Sequence, residues 1–152
     1  MIWLRVSQIM QLTRQADYAA RAVLFLAGSK MASTAEIAGA QAIPQEYLFK
    51  IIQALARAGI VATRRGAWGG VSLARLPEEI SLLDVIEAVE GPVAINRCFI
   101  EGTDCARESF CSIQDELMAA QLLMSRKLAA TDFASLARRE LDKKNLPTAG
   151  SV

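Results

Sequence analysis

Three cysteines lie close together and are the residues of this sequence best suited to chemistry. Cys98, Cys105 and Cys111 fall within fourteen positions, and the 152-residue chain contains no other cysteine. Thiolates are soft ligands that suit zinc or an iron–sulfur cluster. The spacing is not the paired-cysteine pattern of a zinc ribbon, and structural zinc commonly needs four protein ligands. We therefore expect an iron–sulfur cluster, of the 2Fe–2S or the 4Fe–4S type, with a thiol redox switch and inert cysteines as alternatives.

The composition excludes several other kinds of site. The chain has no histidine, which removes Ser-His-Asp and Cys-His catalysis and every histidine-ligated metal site. An odd number of cysteines argues against a disulfide scaffold. Because no other catalytic constellation is present, the sequence predicts a regulator or a binding protein rather than an enzyme.

Charge is divided unevenly along the chain. Residues 1–76 hold nine Lys and Arg against three acids, a net charge of +6, whereas residues 77–152 hold eight against thirteen, a net charge of −5. A basic half suits a polyanion such as DNA, and the acidic half then has another task. Chance segregation of surface charge is the alternative interpretation.

The basic half has the pattern of a helix-turn-helix. Cap signals at Thr13 and Ser33, and a turn that ends at Pro44, predict helices over about 13–28, 33–40 and 44–58. Two predicted strands, near 60–64 and 71–75, flank a glycine-rich run and form a β-hairpin wing. The predicted fold class is therefore mainly α, a winged helix-turn-helix with a small hairpin and a long C-terminal dimerisation helix.

The acidic half is predicted to contain three further helices. The first runs from a cap at Ser81 to about Glu90, and an irregular cysteine loop follows it. A long helix begins with a cap signal at Ser112, and Thr131 is expected to cap a short last helix to about Leu141. The long helix carries one apolar stripe: Ile113, Leu117, Ala120, Met124 and Leu128. Such a stripe needs a partner, either the same helix of a second subunit or the rest of this chain.

These elements predict five segments. They are an N-terminal extension (1–9), a DNA-binding domain (10–80), a connecting helix with the cysteine loop (81–111), dimerisation helices (112–142) and a flexible tail (143–152). We find neither an apolar run of bilayer length nor a convincing signal peptide, so we expect no membrane partner and a cytoplasmic location.

The second helix of a helix-turn-helix normally enters the major groove of DNA. Amide and ammonium groups match the base edges there, arginines suit phosphates and the narrow minor groove, and an aromatic ring can contact a thymine methyl or a sugar. Packing of the aromatic rings within the protein is the alternative. The expected DNA contacts are Gln45, Phe49, Lys50, Gln53, Arg57, Arg64, Arg65 and Trp68.

Several sequence motifs together resemble the Rrf-two family of bacterial regulators. They are the opening stretch Met10–Arg21, Ile37-Ala38, Tyr47-Leu48, the stretch Leu55–Val61 and the glycine-rich run Arg65–Gly70. The resemblance extends from about Met10 to Leu141. It implies a winged-helix homodimer that is crossed by its long helices and binds palindromic promoter DNA. Branches of the family sense iron–sulfur status (IscR), nitric oxide (NsrR) and iron (RirA).

The resemblance also implies a ligand set. The three cysteines fall where cluster-bearing members carry their thiolate ligands, and Asp17 stands where one nitric-oxide-sensing branch has a fourth ligand from the opposite subunit. Gln114 replaces the histidine ligand of the IscR branch, and Phe49 replaces its base-reading glutamate. The cysteine spacing matches none of the three branches, so the signal is left open among iron, nitric oxide and redox state. A cluster-free regulator, switched by cysteine oxidation or by a partner protein, and a cysteine metalloprotein that does not bind DNA are the alternative functions.

Overall fold

The computed structural model describes residues 12–100 and 104–146, which are mainly helical and include a two-stranded antiparallel hairpin. The predicted extension at residues 1–9 lies outside the described residues, as does the end of the tail from residue 147. The elements are α1 (Arg14–Ala27), α2 (Thr34–Gln41), α3 (Gln45–Arg57), β1 (Val61–Arg64), β2 (Gly70–Leu73), α4 (Leu82–Glu90), α5 (Ser112–Ala129) and α6 (Phe133–Asn145). Short 3₁₀ turns occupy Pro77–Glu79, Arg97–Phe99 and Glu108–Phe110. The predicted winged helix-turn-helix is confirmed.

The predicted side-chain caps lie where the first, second and fourth helices begin. The Thr13 hydroxyl accepts from the Ala16 N–H at the start of α1. Ser33 and Glu36 satisfy each other's backbone N–H groups at α2, and a second serine–aspartate capping box starts α4 at Ser81. The hydrogen bond from the Ser33 backbone lowers the pKa of Glu36 below its usual value, because it stabilises the carboxylate. These three cap predictions are confirmed.

The expected caps of the last two helices are wrong. Cys111, rather than Ser112, is the N-cap of α5, and it makes no side-chain cap hydrogen bond. Thr131 lies after the end of α5, where its hydroxyl donates to the carbonyl of Lys127. The Asp132 carboxylate accepts from Ser135 and starts α6. The Ser135 N–H also lowers the pKa of Asp132. Helix α6 reaches Asn145, beyond the expected end near Leu141.

The core forms where α1, α3, α4 and α6 meet beside the hairpin. Helix α3 contributes Leu48, Ile51 and Leu55, each at most 1% exposed. Phe133, the first residue of α6, is completely buried in the same cluster. The chain therefore returns to the DNA-binding core after α5, and only α5 among the six helices has no buried residue within the described part of the chain.

Two glycines shape the hairpin. A Cβ on Gly69 would lie 2.1 Å from the carbonyl oxygen of Arg64, and one on Gly70 would lie 2.8 Å from that of Ala32. Arg64 pairs with Gly70 at the end of the ladder, while Ala32 and Val71 exchange both backbone hydrogen bonds. The wing is thereby attached to the segment that leads into α2, and its turn closes only because these positions lack side chains.

We predict that Gly69→Ala lowers the free energy of unfolding by about 1 kcal/mol or more, because the turn must open to accept the methyl group. Gly39→Ala is the matched control, since Gly39 lies within α2 and a Cβ added there would meet nothing within 4 Å. That change should raise stability by about 0.5–1 kcal/mol. Urea unfolding followed by circular dichroism measures both, and equal stability of the two variants would contradict the constraint.

Candidate nucleic-acid interface and cysteine pocket

Helix α3 buries one side and exposes the other. Its five predicted contact residues lie on the side opposite the buried leucines and isoleucines, within an arc of about 140° at 100° per residue. Phe49 is 60% exposed, so it does not pack in the core of this chain. The outer side of α3 carries these predicted residues: Gln45, Phe49, Lys50, Gln53 and Arg57.

A groove of about 480 Å³ separates α3 from the wing. Phe49 and Gln53 line it from the helix, and Arg64 and Arg65 line it from the hairpin. Four of the eight predicted DNA contacts thus share one concave, basic surface. Lys50 and Arg57 are exposed beside it, at the middle and the end of α3.

Trp68 lies at the tip of the wing and is 90% exposed. The alternative that it folds back onto the hairpin is wrong. Exposure of so large an apolar ring is costly without a partner. The position at the tip of a basic hairpin suits contact with sugars at the edge of a DNA duplex.

The sequence reasoning did not assign Ser33 and Thr34 to this interface. Both line the groove, at the N-terminal end of α2. Their hydroxyls and the helix end are suited to phosphate contact. Ser33 was recognisable as a cap, but its place beside the wing follows from the Ala32–Val71 pairing, which the sequence pattern does not reveal.

Asp17 lies in the first turn of α1 and is exposed. Its carboxylate forms an ion pair with Arg21 at 2.6 Å. Arg21 also donates to the Gln41 carbonyl at the end of α2 and lies over the Tyr18 ring, which contacts Tyr47 of α3 edge to face. The contacts around Asp17 therefore connect α1 with both helices of the helix-turn-helix.

The three cysteines line one pocket of about 280 Å³. Cys98 lies in a 3₁₀ turn, Cys111 directly precedes α5, and both are half-buried, whereas Cys105 is exposed. The other residues that line this pocket are Asn96, Arg97, Asp104, Ile113 and Gln114. The sequence reasoning anticipated that the cysteines share a loop, but it did not anticipate Asp104 as a neighbour.

All three thiols are free. In the described part of the chain, no group of three His, Cys, Asp or Glu side chains is already gathered at distances that hold a metal ion. The donor chemistry fits a cluster, because three soft thiolates share one pocket. The three cysteines therefore line a common pocket, but their thiols are not positioned together as metal ligands.

The cysteine loop follows a helix that is bonded to the DNA-binding core. The hydroxyl of Thr13, the N-cap of α1, donates to the carboxylate of Glu90, the last residue of α4, and Gln15 donates to the carbonyl of Val89. Helix α4 packs on α1, α3 and α5.

Within residues 12–100 and 104–146, no helix is both long and apolar enough to cross a membrane.

The sequence profile of the family described as Rrf2, an iron-dependent transcriptional regulator, matches residues 12–139. The chain is 41% identical over 114 residues to Protein aau3 of Rhizobium meliloti strain 1021, covering 73% of this chain and 74% of that protein. It is 33% identical over 131 residues to the HTH-type transcriptional regulator NsrR of Geobacillus kaustophilus strain HTA426, covering 84% and 89%. Its fold is similar to that of CymR, the global cysteine regulator of B. subtilis, with a TM-score of 0.63, 27% identity and coverage of 86% and 98%.

The family match includes the helix-turn-helix, the wing and the cysteine pocket. The relatives named for a function are transcriptional regulators rather than enzymes. A cysteine metalloprotein that does not bind DNA is therefore not supported. The chain belongs to the Rrf-two family and is a DNA-binding transcriptional regulator.

Proposed function

We propose that this regulator binds promoter DNA as a homodimer and that an iron–sulfur cluster held by Cys98, Cys105 and Cys111 controls its affinity for DNA. The observation that carries the proposal is the single pocket that all three cysteines line, beside the start of α5. Similarity to an NsrR regulator supports it further. A bound cluster supplies iron and sulfide chemistry that responds to iron supply, nitric oxide or redox state. The protein then works in the cytoplasm, where promoter DNA lies.

The DNA-binding part of the proposal uses the groove and its surroundings. Lys50, Arg57 and the two wing arginines are suited to phosphates, and Gln45 and Gln53 to base edges in the major groove. Phe49 and Trp68 offer apolar contact to bases and sugars. Helix α3 and both strands of the hairpin contribute residues to the core, so the surface that carries these side chains is formed before DNA binds.

The homodimer part of the proposal rests on α5. Four large apolar side chains of this helix are exposed: Ile113, Met118, Leu122 and Leu123. Of the predicted stripe, Leu117, Met124 and Leu128 are half-buried within the chain, whereas Ile113 and Ala120 are exposed. Water contact with so much apolar surface on one helix is unfavourable, and the same helix of a second copy covers it by symmetry.

Asp17 is the proposed fourth ligand, supplied by the opposite subunit. Its exposed carboxylate is paired with Arg21, so ligation requires exchange of this partner. The exchange would act on Arg21, which also contacts the end of α2 and Tyr18. An oxygen ligand binds a cluster more weakly than a thiolate and leaves that position open to reaction.

A second function is favoured by a specific observation. The thiols are free and are not gathered as metal ligands in the described residues, and the fold resembles that of a cysteine regulator. A cluster-free regulator would instead change its DNA affinity when two of these thiols are oxidised or when a partner protein binds. Iron and sulfide analysis separates the two functions.

We predict that protein purified and reconstituted without oxygen shows visible charge-transfer bands with near-stoichiometric iron and sulfide. Cys98→Ala, Cys105→Ala and Cys111→Ala should each lose most of this absorbance, because the remaining side chains cannot replace a lost thiolate. Ser112→Ala, next to Cys111, should keep it. Full cluster retention in all three cysteine variants would refute the ligand assignment, and a colourless wild-type protein would favour the thiol switch.

We predict that Lys50→Ala and Arg65→Ala weaken binding to promoter DNA and each lower the slope of log K against log salt by ~1, since each removes one phosphate contact. Arg139→Ala, an exposed change on α6, is the control and should leave both quantities unchanged. Fluorescence anisotropy across a salt series measures them. Unchanged affinity would remove that residue from the interface.

We predict that Leu123→Asp converts the dimer to a monomer, because a carboxylate cannot be buried in a subunit contact without a partner. Leu146→Asp is the control, since the two leucines are 69% and 66% exposed. Sedimentation velocity measures the oligomeric state. A dimer that persists in the Leu123 variant would place the subunit contact elsewhere.

A further inference from the structure

Gln121 of α5 is bonded to the segment that leads into the cysteine loop. Its side-chain oxygen accepts from the Ile95 N–H at 2.8 Å, and its side-chain nitrogen donates to the Val93 carbonyl at 2.7 Å. A third bond runs from the same nitrogen to the Ser125 hydroxyl at 3.1 Å. Both ends of the half-buried Gln121 amide are therefore engaged by the protein.

The partners determine which way the amide is oriented. A backbone N–H only donates and a carbonyl only accepts, so the oxygen must face Ile95 and the nitrogen must face Val93. Two hydrogen bonds to backbone groups two residues apart resemble the pairing of a strand. Gln121 thus holds residues 93–95, which form neither a helix nor a strand, against α5.

The segment held by Gln121 ends at the turn that carries Cys98. Asn96 follows Ile95 directly and caps this 3₁₀ turn by accepting from the Arg97 N–H. Cys111 is the N-cap of α5 itself, ten residues before Gln121, or about 15 Å along the same helix. One rigid helix therefore positions Cys111 directly and Cys98 through Gln121.

We propose that Gln121 is a positioning residue that sets the place of Cys98 relative to Cys111. The inference rests on the proposed function in that it concerns the same cysteine pocket. Apolar packing alone fixes this segment poorly, because every residue of α5 is half-buried or exposed in the described chain. A further hydrogen bond to this segment, from the Val93 N–H to the Glu87 carboxylate, is long at 3.5 Å.

Metal-free wild-type protein is compared with Gln121→Leu, which keeps the volume and loses both backbone bonds. Ser125→Ala is the matched control, because it removes only the third bond. Hydrogen exchange at the Ile95 amide should speed up about fivefold or more in the leucine variant and stay unchanged in the control. Cys98 should react faster with a thiol reagent, while Cys111 should not, since its helix is intact.

Gln121→Glu separates the two bonds. It keeps the acceptor for Ile95 but loses the donor to Val93, so Ile95 exchange should stay closer to the wild-type rate than in Gln121→Leu. This variant also serves if the leucine variant folds poorly, which lost exchange protection in α1 and α3 would reveal.

Unchanged Ile95 exchange and unchanged Cys98 reactivity in a folded Gln121→Leu protein would overturn the inference. An equal rise in reactivity of Cys98 and Cys111 would also overturn it, since that result indicates general loosening. Because these readouts need no cluster, they stay valid if the wild-type protein binds none. In that case the proposed cluster fails while the positioning role stands.

Discussion

The packing of α3 against α1 and α4 is the interaction on which the DNA-binding surface depends. Leu48, Ile51 and Leu55 are removed from water together, and burial of three such side chains stabilises the fold by several kcal/mol, at about 1.5–3 kcal/mol each. Because a helix has two sides, this burial determines which residues face outward. The exposed arc from Gln45 to Arg57 is the geometric complement of the core contact.

The same core also positions the wing. The chain leaves α3 through a tight turn, enters β1, and returns in β2 to pair with Ala32 just before α2. The groove between α3 and the hairpin therefore has walls from three segments. Its basic character comes from Arg64 and Arg65, and the tight closure of the hairpin depends on two glycines whose positions have no room for a side chain.

The cysteine region is held by a different kind of force. Its residues are half-buried or exposed, and it is held by hydrogen bonds that the side chains of Gln121 and Asn96 make with backbone groups. A typical hydrogen bond contributes only about 0.5–1.5 kcal/mol net, less than the burial of a core leucine. The cysteine region can therefore rearrange while the core stays folded, which suits the sensing role proposed for it. Helix α4 is the physical connection, because it contacts α3 and α5 and ends where the loop begins.

The sequence by itself determined the local elements and the chemistry. The caps at Thr13, Ser33 and Ser81, the amphipathic pattern of α3 and the glycine-rich hairpin are properties of a few neighbouring residues, and so are the three soft thiols. The caps predicted at Ser112 and Thr131 were wrong, because the N-caps are the neighbouring residues Cys111 and Asp132. Only contacts in the folded chain distinguish two adjacent candidates of this kind. Only the tertiary structure decided that Ser33 and Thr34 join the wing groove, that Phe133 returns α6 to the core, and that Gln121 holds the loop of Cys98. Each of these features depends on a contact between residues that are far apart in sequence, and no local sequence pattern predicts such a contact.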